Sequence, residues 1–334
     1  MVIAVRSPAR PRPSRPASDR APARLAIRWI SLLVLLLAFA PAPLASAASK
    51  PLFLTSFLPV HSVTAAIAGD AAEVRNWLPQ GVDPHDFQFS PRDLRRLREA
   101  SVLVVCGLGL EGWKEAKLRD VANHPSLRIV EAAADLPKDA LIADAEPHRH
   151  DHADDHDHDH AEAPNPHFWL DPVLMTHAAR RIGRALGEAD PSNAAVYARN
   201  TESVVASLEA LHAEYSRALA GATNAFITYH AAFPYLARRY GLRLVGVVET
   251  GAADQPTARR LADLGRLVRA EGVRVLFVDG NPPRIAKQIA SDLRLGVASL
   301  STLETGTFAP GAYEQGMRRN LDVLKSALLP AARP

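Results

Sequence analysis

The 334-residue chain has a single cysteine, Cys106. One thiol forms no internal disulfide, so the fold must hold through packing, and Cys106, within the apolar run 101–106, reads as a core residue. Catalytic signatures are missing too. There is no His-Glu-x-x-His, no Gly-x-Ser-x-Gly and no phosphate-binding loop. A membrane-spanning helix needs roughly 20 apolar residues, and the stretch at 29–40 has only twelve.

An excess of basic charge is also lacking once the N-terminal segment is set aside. Residues 1–28 carry seven arginines and one acid, the apolar stretch follows, and Ala45-Ser46-Ala47 offers a small-residue cleavage site. This is the order of a secretory signal peptide, expected over 1–47, which places the mature protein in the periplasm with no span of its own. Of 39 bases and 36 acids, 32 and 35 then remain, a net −3 with histidine neutral. The sequence pI of about 9.1 therefore gives no support for a nucleic-acid partner. The remaining residues, about 285, are enough for two packed lobes.

Histidine is what the chain has in excess. Six of its thirteen histidines (His148, His150, His152, His156, His158 and His160) fall within 148–160, interleaved with five aspartates. Only Ala153 there is apolar, so the tract builds no core. Imidazole and carboxylate are ligand types for borderline divalent metals, which points to a transition metal, with Zn²⁺ first. The bland alternative is a solvated acidic loop.

Elsewhere short apolar runs alternate with helical patterns. Strands are expected at 52–57, 73–78, 102–106, 127–131, 225–229, 242–248, 273–278 and 297–300. Helices are expected at 62–68, from 91 to about 100, and at 173–189, 193–220, 232–240, 257–270, 283–293 and 313–328. Ser90-Pro91-Arg92-Asp93 marks one helix start, with serine as cap, proline first and an acid three residues on. The alternation implies an α/β fold of two β/α lobes with parallel sheets. The expected division is an N-terminal lobe over 48–172 that includes the loop 148–160, a linking helix at 173–190, and a C-terminal lobe over 191–334.

In open α/β sheets ligands bind beyond the carboxyl ends of strands. His85 and His230 follow strands, and His167 follows the histidine-rich tract, so all three sit where such a ligand would be met. His61, at another strand-to-helix turn, is a further candidate, though a helix-start histidine is its plainer reading. His124, His177 and His212 read as surface residues. Gly107-Leu-Gly-Leu-Glu-Gly112 formally matches the dinucleotide fingerprint. Trp113 and the short charged segment behind it make a poor helix start, which argues against that use.

Several segments, in order, resemble the zinc/manganese solute-binding proteins of metal ABC transporters (the ZnuA/TroA-like family). They are Asp83-Pro84-His85-Asp86 with Ser90-Pro91-Arg92-Asp93, Gly107-Leu-Gly-Leu-Glu-Gly-Trp113, Asn165-Pro-His-Phe-Trp-Leu-Asp171, and Tyr229-His-Ala-Ala-Phe-Pro-Tyr235 running on to Tyr240-Gly-Leu242. The likeness covers essentially all of 50–330. It implies a metal site in the cleft between the lobes, joined by a long helix, with His85, His167 and His230 as ligands. In manganese-type relatives the third position is usually a carboxylate, so His230 favours zinc. The family often adds a late carboxylate, commonly aspartate. Here Glu304 stands nearest that place, with Asp279 or His61 as alternatives.

The function so implied is a non-enzymatic, monomeric zinc receptor that delivers its ion to an ABC permease and its ATPase. The alternatives are a manganese receptor of the same family, a secreted zinc buffer, and a zinc hydrolase in which Glu304 or Asp279 serves as base.

Overall fold

The computed structural model describes residues 50–113, 115–143, 164–249, 257–309 and 311–330. The expected signal (1–47) and the histidine-rich tract (148–160) lie outside the described residues.

All eight expected strands form, in two sheets. β1 (Leu52–Thr55), β2 (Glu73–Asn76), β3 (Val102–Val105) and β4 (Arg128–Glu131) pair in the order β2-β1-β3-β4. β5 (Phe226–His230), β6 (Leu244–Glu249), β7 (Val275–Val278) and β8 (Gly296–Ser299) repeat that order as β6-β5-β7-β8. Every pairing is parallel. β3 and β7 are buried along their whole length, which is why they read as unbroken apolar runs. In each sheet the chain reverses direction beside the first strand, between β1 and β3 and between β5 and β7. Loops part at such points and leave a crevice.

The helices are α1 (Leu58–Ala68), α2 (Pro91–Glu99), α3 (Glu115–Ala122), α4 (Pro172–Ala189), α5 (Ala194–Leu219), α6 (Pro234–Arg239), α7 (Ala258–Glu271), α8 (Arg284–Leu293) and α9 (Ala312–Leu328). At α2 the expected cap is present: the Ser90 hydroxyl accepts the Asp93 N–H, and the Asp93 carboxylate accepts the Ser90 N–H. α1 starts earlier than expected because Pro59 falls in its first turn, where a missing N–H is harmless. α3 was not expected from the sequence. Four of its eight residues are charged, and Leu118 and Ala122 are too few to write a helical stripe.

Residues 173–190, expected to link the lobes, belong to α4, and α4 packs on β3, β4 and the 3-10 turn Ala132–Asp135 of the first half. α5, about 39 Å long for its 26 residues, packs on α1 and, like α1, on α9. Near its start Tyr197 meets the Phe53 ring edge-on and Asn200 donates to the Ile67 carbonyl. Near its end the Tyr215 hydroxyl donates to the Met317 carbonyl and Glu214 pairs with Arg318. α4 and α5 lie close because Gly183 has no side chain: a Cβ there would stand 2.0 Å from Thr201 Oγ1.

One apolar cluster runs through both halves and includes Phe53, Trp169, Tyr215, Phe226 and Tyr313. Separate clusters cover the opposite face of each sheet. Wide parting of the halves would expose the shared aromatics, at about 25 cal/mol per Å² of apolar surface. Among the described residues no helix is long and apolar enough to cross a membrane.

Candidate metal centre

Four side chains converge where the two sheets' loops meet. His85 lies in the loop from β2 to α2, His167 just before the 3-10 turn Phe168–Leu170, His230 at the end of β5, and Glu304 in the loop after β8. One ligand atom from each lies within 4.8 Å of the other three. His85 Nε2 and His167 Nε2 each stand 3.1 Å from Glu304 Oε1, and His230 Nε2 stands 3.1 Å from His167 Nε2. A tetrahedral zinc with bonds of 2.0–2.1 Å has ligand–ligand edges of about 3.3 Å, so these spacings fit a single small ion.

The surroundings aim the donors inward. Asn165 Oδ1 accepts both the His167 backbone N–H (3.1 Å) and the ring Nδ1–H (3.0 Å), and Asn165 Nδ2 donates to the Ala231 carbonyl (2.9 Å). This contact orients the ring so that Nε2 faces both Glu304 Oε1 and His230 Nε2. Trp169, fully buried, donates from Nε1 to the Thr302 carbonyl, which ties the His167 turn to the Glu304 loop. Asp171 caps α4 and accepts Arg239 Nε at 2.7 Å, which ties the same turn to α6.

The centre is buried and electrostatically coupled. Burial pushes the Glu304 carboxyl up, but hydrogen bonds and charge from His167 and His85 outweigh it and hold the group well below its ordinary value. Burial pushes the His85 imidazole down, and contact with Glu304 more than reverses this, leaving it raised. Burial, with Glu304 next, raises Asp83, whose Oδ1 accepts the His85 N–H.

Of the alternative fourth ligands, Asp279 is not among the converging groups. Its Oδ2 accepts the Thr302 N–H at 3.1 Å and lies 2.6 Å from the Thr302 hydroxyl. His61 stands apart as well: its Nδ1 meets Thr55 Oγ1 at 3.0 Å and its ring packs edge-on against Phe308. Burial pushes His61 down to about 4. Its folded value lies below the unfolded one, so the neutral ring stabilises the fold above about pH 6.5. That contribution is lost as pH falls toward 4. An NMR titration is expected to place the His61 ring near 4, and a midpoint near 6.5 would contradict its burial. His124, His177 and His212 are half-buried rather than fully exposed, and His124 Nε2 meets the Ala100 carbonyl.

Sequence reasoning missed Glu111. It is buried, and its carboxylate accepts the Ser56 hydroxyl (2.8 Å) and the N–H groups of Cys106 (2.6 Å) and Gly107 (3.4 Å). The glycine-rich turn thus folds its own acid into the place a phosphate would take, and burial raises that carboxyl. Only the glutamate inside a glycine-rich turn after a strand could have hinted at this.

Fold and cluster together define a two-lobed α/β solute-binding protein with a metal-competent centre at the junction of its lobes. Residues 54–327 match the family described as "Zinc-uptake complex component A periplasmic", and the chain belongs to that family. It is 30% identical over 284 residues to the high-affinity zinc uptake system protein ZnuA of Bacillus subtilis, covering 83% of this chain and 87% of that one. The solved solute-binding protein FpvC of Pseudomonas aeruginosa in complex with Mn²⁺ is similar with a TM-score of 0.73 and 27% identity, over 84% and 99% of the two chains. Zn(II)-bound AdcA of Streptococcus pneumoniae is similar with a TM-score of 0.67 and 25% identity over 86% of this chain. AdcA is longer, and the match spans 60% of it.

Proposed function

We propose that this protein is an exported, high-affinity Zn²⁺ receptor that hands its ion to an ABC-type importer, with His85, His167, His230 and Glu304 as ligands. The observation that carries the reading is the convergence of three imidazole nitrogens and one carboxylate oxygen on a buried point, in a member of a zinc-uptake family. Nitrogen-rich, four-coordinate geometry suits zinc, whereas manganese takes more oxygen and a higher coordination number. The manganese-bound relative keeps a manganese receptor as the second reading.

The zinc is cargo rather than a catalyst. A hydrolytic zinc keeps one position open for water, and Glu304, within reach of the three histidines, would fill that position. Asp279, the other candidate base, is engaged with Thr302. Residues 1–47 act as the export signal, and the released protein works as a monomer in the periplasm beside a permease and its ATPase. The tract 148–160 gathers zinc for transfer to His167, or senses its excess. Deleting it with no change in capture rate or uptake would contradict both roles.

Calorimetry on residues 48–334, stripped of metal, tests this reading. One tight site that prefers Zn²⁺ over Mn²⁺ and survives deletion of 148–160 is expected. Loss of all tight binding with the tract would make the protein a zinc buffer. Ligands bind unprotonated, and His85 holds its proton more tightly than an ordinary histidine. Zinc affinity is therefore expected to fall about tenfold or more per pH unit below pH 6.5.

A further inference from the structure

Glu304 presents its two oxygens to different surroundings. Oε1 faces His85 and His167, while Oε2 turns away to the Thr302 hydroxyl at 2.8 Å. Thr302 is 2% exposed and Glu304 7% exposed, so water has little part in this contact. Threonine itself is fixed from three sides. Its N–H donates to Asp279 Oδ2, its carbonyl accepts Trp169 Nε1–H at 2.7 Å, and its hydroxyl shares one proton between Asp279 Oδ2 at 2.6 Å and Glu304 Oε2 at 2.8 Å.

The loop around it is equally constrained. Leu303 adopts a left-handed conformation (φ 62°), with its N–H on the Ser301 hydroxyl at 3.2 Å. Asn320 clamps Ser301 by accepting its N–H (2.9 Å) and donating to its carbonyl (2.7 Å). Gly316 of α9 makes room for Leu303, since a Cβ there would stand 2.4 Å from its Cδ2.

We propose that Thr302, anchored by Asp279, is a specificity-determining positioning residue that holds Glu304 to one metal-facing oxygen. The inference rests on the metal-receptor reading above. A monodentate carboxylate with three imidazoles completes a tetrahedron, the geometry of zinc. Manganese gains from extra oxygen ligands, and the nearest is Oε2. To chelate with both oxygens, Glu304 must rotate Oε2 away from Thr302, and among the described residues no other donor is recorded for that oxygen. Losing Glu304's share of that proton corresponds to about tenfold in binding. Thr302 therefore handicaps ions that need the second oxygen and leaves zinc unaffected.

The test compares native protein with Thr302→Val and Thr302→Ser, by competitive titration of Zn²⁺ and Mn²⁺ and by the visible spectrum of the Co²⁺-loaded form. Valine keeps the shape and removes the hydroxyl. The Zn²⁺/Mn²⁺ affinity ratio is expected to fall about tenfold in Thr302→Val. The intense bands of tetrahedral Co²⁺ should weaken toward those of higher coordination, and Thr302→Ser should restore native behaviour. An unchanged ratio and spectrum in Thr302→Val overturns the proposal, as does an equal change in both variants, which would trace the effect to packing. X-ray absorption of the native zinc form needs no variant: a four-coordinate shell with one carboxylate oxygen is expected, and a shell holding both Glu304 oxygens overturns the proposal. Failure of the receptor reading looks different, since native protein would then show no tight zinc binding that His167→Ala removes.

Discussion

Replacing His167 by alanine is expected to lower zinc affinity by more than about 100-fold, since losing a ligand should exceed the 10–100-fold typical of losing an outer partner. His167 is 2% exposed, touches Glu304 directly, and has Nε2 3.1 Å from that of His230. Without the ring, Glu304 loses one of its two histidine partners. The fold should survive, because the 3-10 turn remains tied down through Trp169 and Asp171. Competition against a fluorescent zinc chelator reads the loss, and circular dichroism confirms the fold. Affinity within threefold of native would remove His167 from the site.

Trp169→Ala should have the largest effect on stability. The side chain is fully buried in the shared core, packs edge-on against Phe57 with centroids 4.7 Å apart, and donates to the Thr302 carbonyl. Tyr313 in turn donates to the Trp169 carbonyl. Truncating a buried tryptophan costs about 3–5 kcal/mol, a large fraction of the 5–15 kcal/mol that holds a domain. Because Trp169 joins the His167 turn to the Glu304 loop, zinc affinity should fall in the same variant. Urea unfolding with and without zinc measures both. A loss below 1 kcal/mol would show that the site repacks, contrary to the core described here.

The sequence carried the strand and helix alternation because both sheets are parallel and covered on both faces, which writes β3 and β7 as continuous apolar runs. His85, His167 and His230 stand out in it because each lies in a loop or at a strand's end, where such sheets meet ligands, within motifs that a known family shares. What it did not carry depends on contacts between distant residues. Helical periodicity marks α4 and α5 alike and says nothing of what either one packs against. Glu304 and Asp279 are both late acids, and only the fold aims one at the histidines and the other at Thr302. An acid in sequence reads as a surface residue, so burial of Glu111 beneath a glycine-rich turn left no mark.

The central claim is that one zinc ion sits among His85, His167, His230 and Glu304. Anomalous diffraction at the zinc edge, on crystals of the zinc-loaded protein, tests it most directly. One dominant peak is expected about 2.0–2.1 Å from the Nε2 atoms of the three histidines and from Glu304 Oε1. A dominant peak held by other residues, with these four side chains turned away from it, would contradict it.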